Sequence, residues 1–329
     1  MQILSNPNYN FIRWRWYALA LSTLVIAAGV AMIASRGGLP LGIDFSGGTI
    51  VVVKFDQTVT EQQVRDAVAL IPGEEVVQQY GDAGDNEWLI RLAQTETVEQ
   101  GASLEQGSQQ ILDALTKAGL PTYELLSREI VGPVIGADLQ RRGLYATLAS
   151  ILAITIYIGF RFRFSFAIGA IAATFHDIFV TVAFLVFFGY DLSLNIVAAL
   201  LTITGYSVND TIVVFDRVRE NLRSMRKDSL QQVVNVSVNQ TLSRTIITAG
   251  TTFVSVLALY LFGGEVLRGF AFTMLVGIIS GTYSTVFIAS AIAIILSQRK
   301  RSSAASAQAA AGRPEAARPG RKSRGAKAS

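Results

Sequence analysis

Residues 192–215 read LSLNIVAALLTITGYSVNDTIVVF. A helix rises about 1.5 Å per residue, and about 20 predominantly apolar residues cover the hydrocarbon core of a bilayer, so this stretch is long enough to cross one. It ends on a charged pair, Asp216-Arg217. Its second half nevertheless holds Tyr206, Ser207, Asn209 and Asp210. An ionisable side chain inside a span is costly to insert and is by default a functional-site candidate. Reading these residues as a span with a carboxylate inside it decides the class of the whole chain, because five other stretches share the apolar character.

Those five run about Tyr17 to Ala34, Leu144 to Phe160, Phe166 to Phe188, Thr245 to Phe262 and Phe270 to Leu296. A signal peptide is the rival reading for the first. That span is long, however, and no clear Ala-x-Ala site precedes Arg36. The composition agrees with a membrane protein: of 329 residues, 51% are hydrophobic and 16% charged, where a soluble domain runs near a quarter charged. There is no cysteine, which removes disulfide scaffolds, thiolate metal sites and Cys nucleophiles. The one histidine, His176, would have to carry any zinc site or Ser-His-Asp triad alone, so no metal site is expected.

Orientation follows from Lys and Arg in the short loops. With the N-terminus in the cytoplasm, Arg13, Arg15, Arg161, Arg163, the run from Arg217 to Lys227 and the basic tail all fall inside, and the short outer loops hold only Arg268. The resulting expectation is a cytoplasmic N-terminus over 1–16, a first transmembrane helix over 17–35, an extracytoplasmic α+β domain over 36–142, transmembrane helices 2–6 over 143–297, and a basic, disordered cytoplasmic tail over 298–329. The tail holds nine Lys and Arg beyond residue 298. A solvated tail that reinforces topology is favoured there over contact with anionic lipid or ribosomal RNA, and no nucleic-acid partner is expected.

The segment between the first two spans alternates strand and helix signals. Thr49 to Phe55 is β-branched and apolar, and Thr60 to Gln63 is a capping box followed by Val64, Val68 and Ile71 at helical spacing. Glu75 to Tyr80 and Trp88 to Leu92 read as a strand pair joined by Gly81-Asp-Ala-Gly84. Leu104 to Ala118 places Ile111, Leu112 and Leu115 on one face, with Gly119 as its C-cap, and Tyr123 to Val131 is a last strand. The order βαββαβ predicts a small ferredoxin-like domain. Nothing in it looks chemical, and contact with another chain is its expected role.

Within the spans the ionisable residues are Asp177 near the middle of the third, Asp210 in the fourth about 9 Å from its cytoplasmic end, and Arg244 at the start of the fifth. Asp210 and Arg244 fall at similar depth and could meet across a helix pair. Arg244, Thr248, Thr251 and Ser255 recur on one helix face, as do Thr174, Asp177 and Thr181, and Ser207 and Asn209 neighbour Asp210. Thr273, Gly277, Gly281 and Thr285 form a small-residue stripe on the sixth span, suited to close helix approach. Plainer readings stand beside these. Asp177 serves equally well as hydrogen-bonding glue between helices. Arg244 could snorkel to the headgroups. Ser and Thr can bond their own backbone, and His176, about 100° round the helix from Asp177, reads as a satisfied polar residue rather than a proton carrier. The pair Asp210 and Arg244 is the best candidate, and its physics is that of a proton switch: an arginine beside a carboxylate favours the charged form, and its withdrawal favours the protonated one. An intramembrane aspartyl protease using Asp177 and Asp210 needs both carboxylates at one depth, whereas these differ by roughly 7 Å, and the Gly-x-Gly-Asp signature is absent. A pure scaffold would leave Asp210 and Arg244 unexplained.

Five motifs carry a family resemblance: Gly42-Ile-Asp-Phe-Ser-Gly-Gly-Thr49, Val131-Gly-Pro-Val-Ile-Gly136, Phe175-His-Asp177, the run from Thr204 through Asp210 to Asn221, and Leu242-Ser-Arg-Thr-Ile-Ile-Thr248. Together they resemble the SecF family, over about residues 10 to 297. The resemblance implies an RND-like half that pairs with SecD and assists the SecYEG translocon in moving preproteins. The coupling ion would be the proton, with no cofactor and no enzymatic activity. It further implies residence in the bacterial inner membrane, YajC and membrane lipids as additional contacts, and the separate rather than the fused form of the two chains. The family's intramembrane Asp and Arg fall on Asp210 and Arg244. Its glycine motif falls on Gly42, Asp44, Phe45, Gly47, Gly48 and Thr49, where a plain turn into the first strand and direct contact with a moving polypeptide remain equal alternatives. A proton-driven exporter of lipids or small molecules, built on the same RND-like fold, is the alternative function.

Overall fold

The computed structural model describes residues 7–71, 75–81, 84–92 and 102–299. The basic tail beyond residue 299 and the centre of the 81–84 turn lie outside the described residues.

The chain enters through a 3-10 turn, Phe11–Trp14, where the Asn10 side chain accepts from the Arg13 amide, and continues into α1, Arg15–Ser35. A single helical turn, α2 (Ile43–Ser46), leads into the α+β domain. Its elements are β1 (Gly48–Phe55), α3 (Glu61–Val68), β2 (Glu75–Tyr80), β3 (Glu87–Leu92), α4 (Ala102–Lys117) and β4 (Tyr123–Val131). The four strands lie in the order β2-β3-β1-β4, every neighbour antiparallel. This is the ferredoxin-like arrangement that the βαββαβ order predicts. Alternation on the central β1 buries Val51, Val53 and Phe55 against Val64 and Val68 of α3 and Ile111 and Leu115 of α4. Thr60 and Gln63 form a reciprocal capping box at the start of α3, and Gly119 adopts a positive φ of 70° just past α4.

Among the described residues, six helices are long and apolar enough to cross a membrane. After the helix containing α1 these are α5 (Pro133–Arg161), α6 (Phe164–Phe187), α7 (Leu194–Ser224), α8 (Leu230–Phe262) and α9 (Glu265–Ser284). α9 runs on through a π-helical turn, Thr285–Ala289, into further helix, the whole span covering Val266–Arg299. Two helices begin well before their apolar runs. In α5, Gly132 and Pro133 start the helix, since proline at the first position is pre-set for helical φ, and the polar turns around Asp138 and Arg142 follow as helix. In α8, Ser229 and Gln232 form a second capping box, so that Arg244 lies near the middle of a helix instead of at its start.

Helices α6, α7 and α9 form the interior. The small-residue stripe of α9 packs within the chain: a side chain at Gly277 would run into Ile203 of α7, and one at Gly281 would meet Ser207. α1 closes on α6 in the same way, Gly29 against Ala183. Around Phe215, the side chains of Phe166, Val218, Val234 and Ile294 make a second apolar cluster at the end of the bundle away from the sheet.

Candidate functional site

α7, α8 and α9 enclose a small crevice of about 30 Å³. Asp210 and Arg244 both line it, with Tyr206, Asn209, Thr245, Thr248 and Thr282 among their neighbours. Asp210 Oδ1 accepts a hydrogen bond of 2.7 Å from Thr245 Oγ1. Its Oδ2 is buried with no partner at hydrogen-bond distance, although the Thr285 hydroxyl, bonded to Thr211 at 2.8 Å, lies near the carboxylate. The guanidinium of Arg244 is not within ion-pair distance: among the described residues no salt bridge joins it to Asp210, and Arg244 is itself exposed. The sequence thus brings the two to one crevice, as the depth argument expects. The direct contact is made by Thr245, the residue next to Arg244.

The other polar residues divide. Asn209 is on the exposed rim, and Thr248 lines the crevice. Thr251 and Ser255 do not join them. Both are exposed and donate to carbonyls of their own helix, Thr251 to Ile247 O at 2.9 Å and Ser255 to Thr251 O at 3.0 Å. Ser207 turns away from Asp210, because three residues along a helix leave about 60° between side chains. It donates to Asp177 Oδ2 instead.

Asp177 is the centre of a second site, buried between α6, α7 and α9 with 1% exposure. Besides Ser207, Ser284 Oγ donates to Oδ2 and Ser280 Oγ to Oδ1, each at 2.7 Å. His176 Nδ1 lies 3.0 Å from Oδ1, and its Nε2 lies 2.8 Å from Ser22 Oγ of α1. The neighbouring Tyr283 donates to Ala18 O at 2.7 Å. His176 is therefore a satisfied polar residue, and its ring reaches Asp177 despite their angular separation on the helix. Thr174 only back-bonds to Ala170 O, and the Thr181 hydroxyl is buried without a partner. Ser22, Ser280, Ser284 and Tyr283 belong to none of the sequence motifs or polar stripes. The signal available was the spacing of Ser280 and Ser284, one helical turn apart and in step with the glycine stripe.

The glycine motif forms the joint between the α+β domain and the bundle. Gly47 and Gly48, with φ of 71° and 128°, turn the chain into β1, conformations that L side chains rarely adopt. Phe45 is buried, and a Cβ at Gly136 of α5 would lie 3.1 Å from its carbonyl. Asp44 Oδ2 accepts from the Leu194 amide at the start of α7, at 2.8 Å. Thr49 is buried in the first position after the turn, under Gly107 of α4. No group of three or more His, Cys, Asp or Glu that could hold a metal occurs among the described residues.

Residues 110–299 match the family described as "Protein export membrane protein SecD/SecF, C-terminal", and residues 35–59 match the "SecD/SecF GG Motif". The chain is similar to the protein translocase subunit SecF of Escherichia coli O157:H7, with 39% identity over 89% of this chain and 89% of that one. It is 42% identical to the corresponding subunit of Desulfurispirillum indicum, over 86% of this chain and 90% of its relative. Among solved structures it resembles SecDF of Thermus thermophilus, described as a translocon-associated membrane protein, with a TM-score of 0.78 and 34% identity over 89% of this chain. It spans 39% of that longer chain. With two family matches that together cover most of the chain and relatives aligned nearly end to end, the chain belongs to the SecD/SecF family of protein-export membrane proteins, as a multi-pass transport subunit of the SecF kind and not an enzyme.

Proposed function

We propose that this chain acts beside a SecD chain as an accessory subunit of the Sec machinery, using the proton gradient to drive late movement of preproteins through SecYEG. It sits in the bacterial inner membrane with residues 1–16 and 298–329 cytoplasmic and residues 36–142 outside, the five later spans falling within 143–297. YajC and membrane lipids are further contacts. Asp210 is the proton-carrying group, Arg244 its electrostatic control, and Asp177 a fixed polar anchor behind it.

One observation carries this reading: Asp210 Oδ2 is a buried carboxylate oxygen with no donor at hydrogen-bond distance, the nearby Thr285 hydroxyl being bonded to Thr211. Buried polar atoms are almost always paired, so an orphan in a polar crevice marks a functional position. A proton or a proton-bearing water would satisfy it. Arg244, close by without forming an ion pair, sets the local potential and can approach or withdraw without first breaking a salt bridge. The exposed flank of α8 leaves Arg244 accessible to a neighbouring chain, in keeping with an RND-like assembly of two halves.

Asp210→Asn keeps the volume and the bond from Thr245 but cannot change charge. The variant is expected to fold, to assemble with SecD, and to lose proton-dependent export of a secreted reporter into inverted vesicles. Full, uncoupler-sensitive export by Asp210→Asn would move the proton path elsewhere.

A further inference from the structure

We propose that the turn Gly42–Ser46 is a clamp that fixes the α+β domain to the outer end of α7, with Asp44 as its positioning residue, so that displacement of the domain is delivered along α7 to Asp210. The functional consequence rests on the reading of Asp210 as the proton carrier; the clamp itself rests on separate geometry.

That geometry consists of contacts made by one short segment. The Gly42 amide donates to Leu192 O, and the Leu192 amide donates back to Pro40 O, each at 2.8 Å, so that Leu41 and Leu192 form a parallel bridge. Any side chain at position 42 would meet Leu192 O at 3.1 Å. Two residues on, the Asp44 carboxylate accepts from the Leu194 amide, the first residue of α7. Helix starts leave amides unpaired, and a carboxylate there is held both by the hydrogen bond and by the positive end of the helix dipole. The cap that α7 carries in its own sequence, Ser193, serves a different amide, that of Ile196. Asp44 thus adds a long-range cap, supplied from a point 150 residues earlier in the chain.

A second tether comes from the sheet. Arg91 on β3 donates through Nη1 to Asp191 Oδ2 at 2.7 Å and to Leu41 O at 3.1 Å, gripping both sides of the same bridge. On the domain side the turn runs directly into β1, the strand that pairs with both β3 and β4. On the membrane side α7 is one unbroken helix over Leu194–Ser224, and Asp210 lies about 24 Å along it from the clamped amide. A continuous helix of this kind transmits axial shift or rotation with little loss. Gly277 and Gly281 of α9 seat Ile203 and Ser207 of α7, and Met274 and Ile278 pack on Ala199 and Ile203, so α7 is in close contact with α9 on this side. A movement at the clamp therefore changes how Asp210 sits against Thr245 of α8.

The test uses the full chain co-expressed with SecD and takes advantage of the absence of cysteine. Spin labels at Gln62 on α3 and Thr202 on α7, both exposed, report the distance distribution between domain and helix. Asp44→Asn retains an oxygen acceptor, and asparagine caps helices as well as aspartate does. It is expected to keep the narrow wild-type distribution and wild-type export. Asp44→Ala is expected to broaden the distribution and to lower proton-dependent export toward the level of Asp210→Asn. Should Asp44→Ala fail to assemble, Arg91→Ala tests the same clamp through its other tether, with the same broadening expected. A distribution unchanged in both alanine variants overturns the clamp, as does an Asp44→Asn variant that behaves like alanine. Normal export by Asp210→Asn would sink the proton reading alone, leaving the distances to decide the clamp.

Discussion

Asp177, fully buried, and Asp210, half-buried, are aspartates in adjacent helices of one bundle, and their surroundings are opposite. Every direction around Asp177 is occupied: Ser207, Ser280 and Ser284 donate to it, and His176 closes the remaining side. Asp210 has one donor at hydrogen-bond distance, Thr245, and a second oxygen with none that close, the Thr285 hydroxyl lying near but bonded to Thr211. The saturated carboxylate lies where α6, α7 and α9 enclose it, and the unsaturated one lies where α7 meets the outward-facing α8. Burial alone does not make a carboxylate a switch. A group held by four partners is fixed in place, whereas a group with a vacant oxygen has room for a further donor. The difference supports the proposed reading, in which Asp177 is a structural anchor and Asp210 the proton carrier.

The strongest way to break that assignment is to remove Asp177. Asp177→Ala would leave three serine hydroxyls and an imidazole facing a void, and unsatisfied buried donors cost about 1–3 kcal/mol each. The expected result is loss of folded protein, or a fall on the order of 3–5 kcal/mol in unfolding free energy in detergent. Asp177→Asn should be far milder. Serine hydroxyls can accept as well as donate, and His176 can exchange tautomers, so the network can reorganise around an amide. A folded, fully stable Asp177→Ala protein would show that the network does not hold the bundle together.

A smaller effect tests the wall that separates the two sites. Gly277→Leu must displace Ile203, and Gly281 immediately beyond it seats Ser207 against α9. Overpacking of this kind costs about 1–3 kcal/mol. The cost should appear as a lowered melting temperature of the isolated chain, because the packed partner is α7 of the same molecule. Ile203→Ala in the same protein should recover part of the loss, which a double-mutant cycle measures. Additive effects of the two substitutions would place Gly277 against something other than Ile203.

How much of this contrast the sequence carries depends on the kind of signal. The six spans are legible because hydropathy measures what lipid demands, and the βαββαβ order because alternation and capping residues are local. Helix starts are not legible from hydropathy. α8 begins at Leu230, in a polar stretch where Asn235 and Asn239 bond the backbone of Tyr9, and only the Ser229–Gln232 capping box announces it. The outward course of Thr251 and Ser255 is hidden for another reason. Periodicity shows that residues share a face but not which way the face looks, and only 6% of the most apolar window of α8 is buried, against 67% for the last span. Asp177 could be found as an intramembrane charge, but its three serines come from two other helices, and such convergence is a property of packing.

A third carboxylate, Asp191 in the loop between α6 and α7, lies between the two extremes. It has one strong partner, Arg91, and is partly exposed. Burial pushes its carboxyl above the usual carboxylate range, against the pull of Arg91 and Arg36, which favour the charged form. Because the folded-state value is raised, the folded protein holds this proton at a pH where the unfolded chain has released it. The stability contributed by the site is thus complete below the ordinary carboxylate range and is lost as the pH rises through the raised value. The same sign holds for local opening of the joint. An opened joint returns Asp191 to its ordinary value, so the closed joint holds the proton more tightly and is favoured as the medium becomes acid. Arg91 stays cationic throughout and continues to hold Leu41 O. The measurement is hydrogen exchange across residues 191–196 in the intact protein over a pH series, corrected for intrinsic exchange rates. Protection should rise modestly on acidification in the wild type. Asp191→Asn, which has no charge to lose, should show a flat profile. The effect is the smallest of the three because Asp191 is neither saturated like Asp177 nor orphaned like Asp210. A wild-type profile as flat as that of Asp191→Asn would mean that the Leu41–Leu192 bridge and the Asp44 cap hold the joint without help from the ion pair.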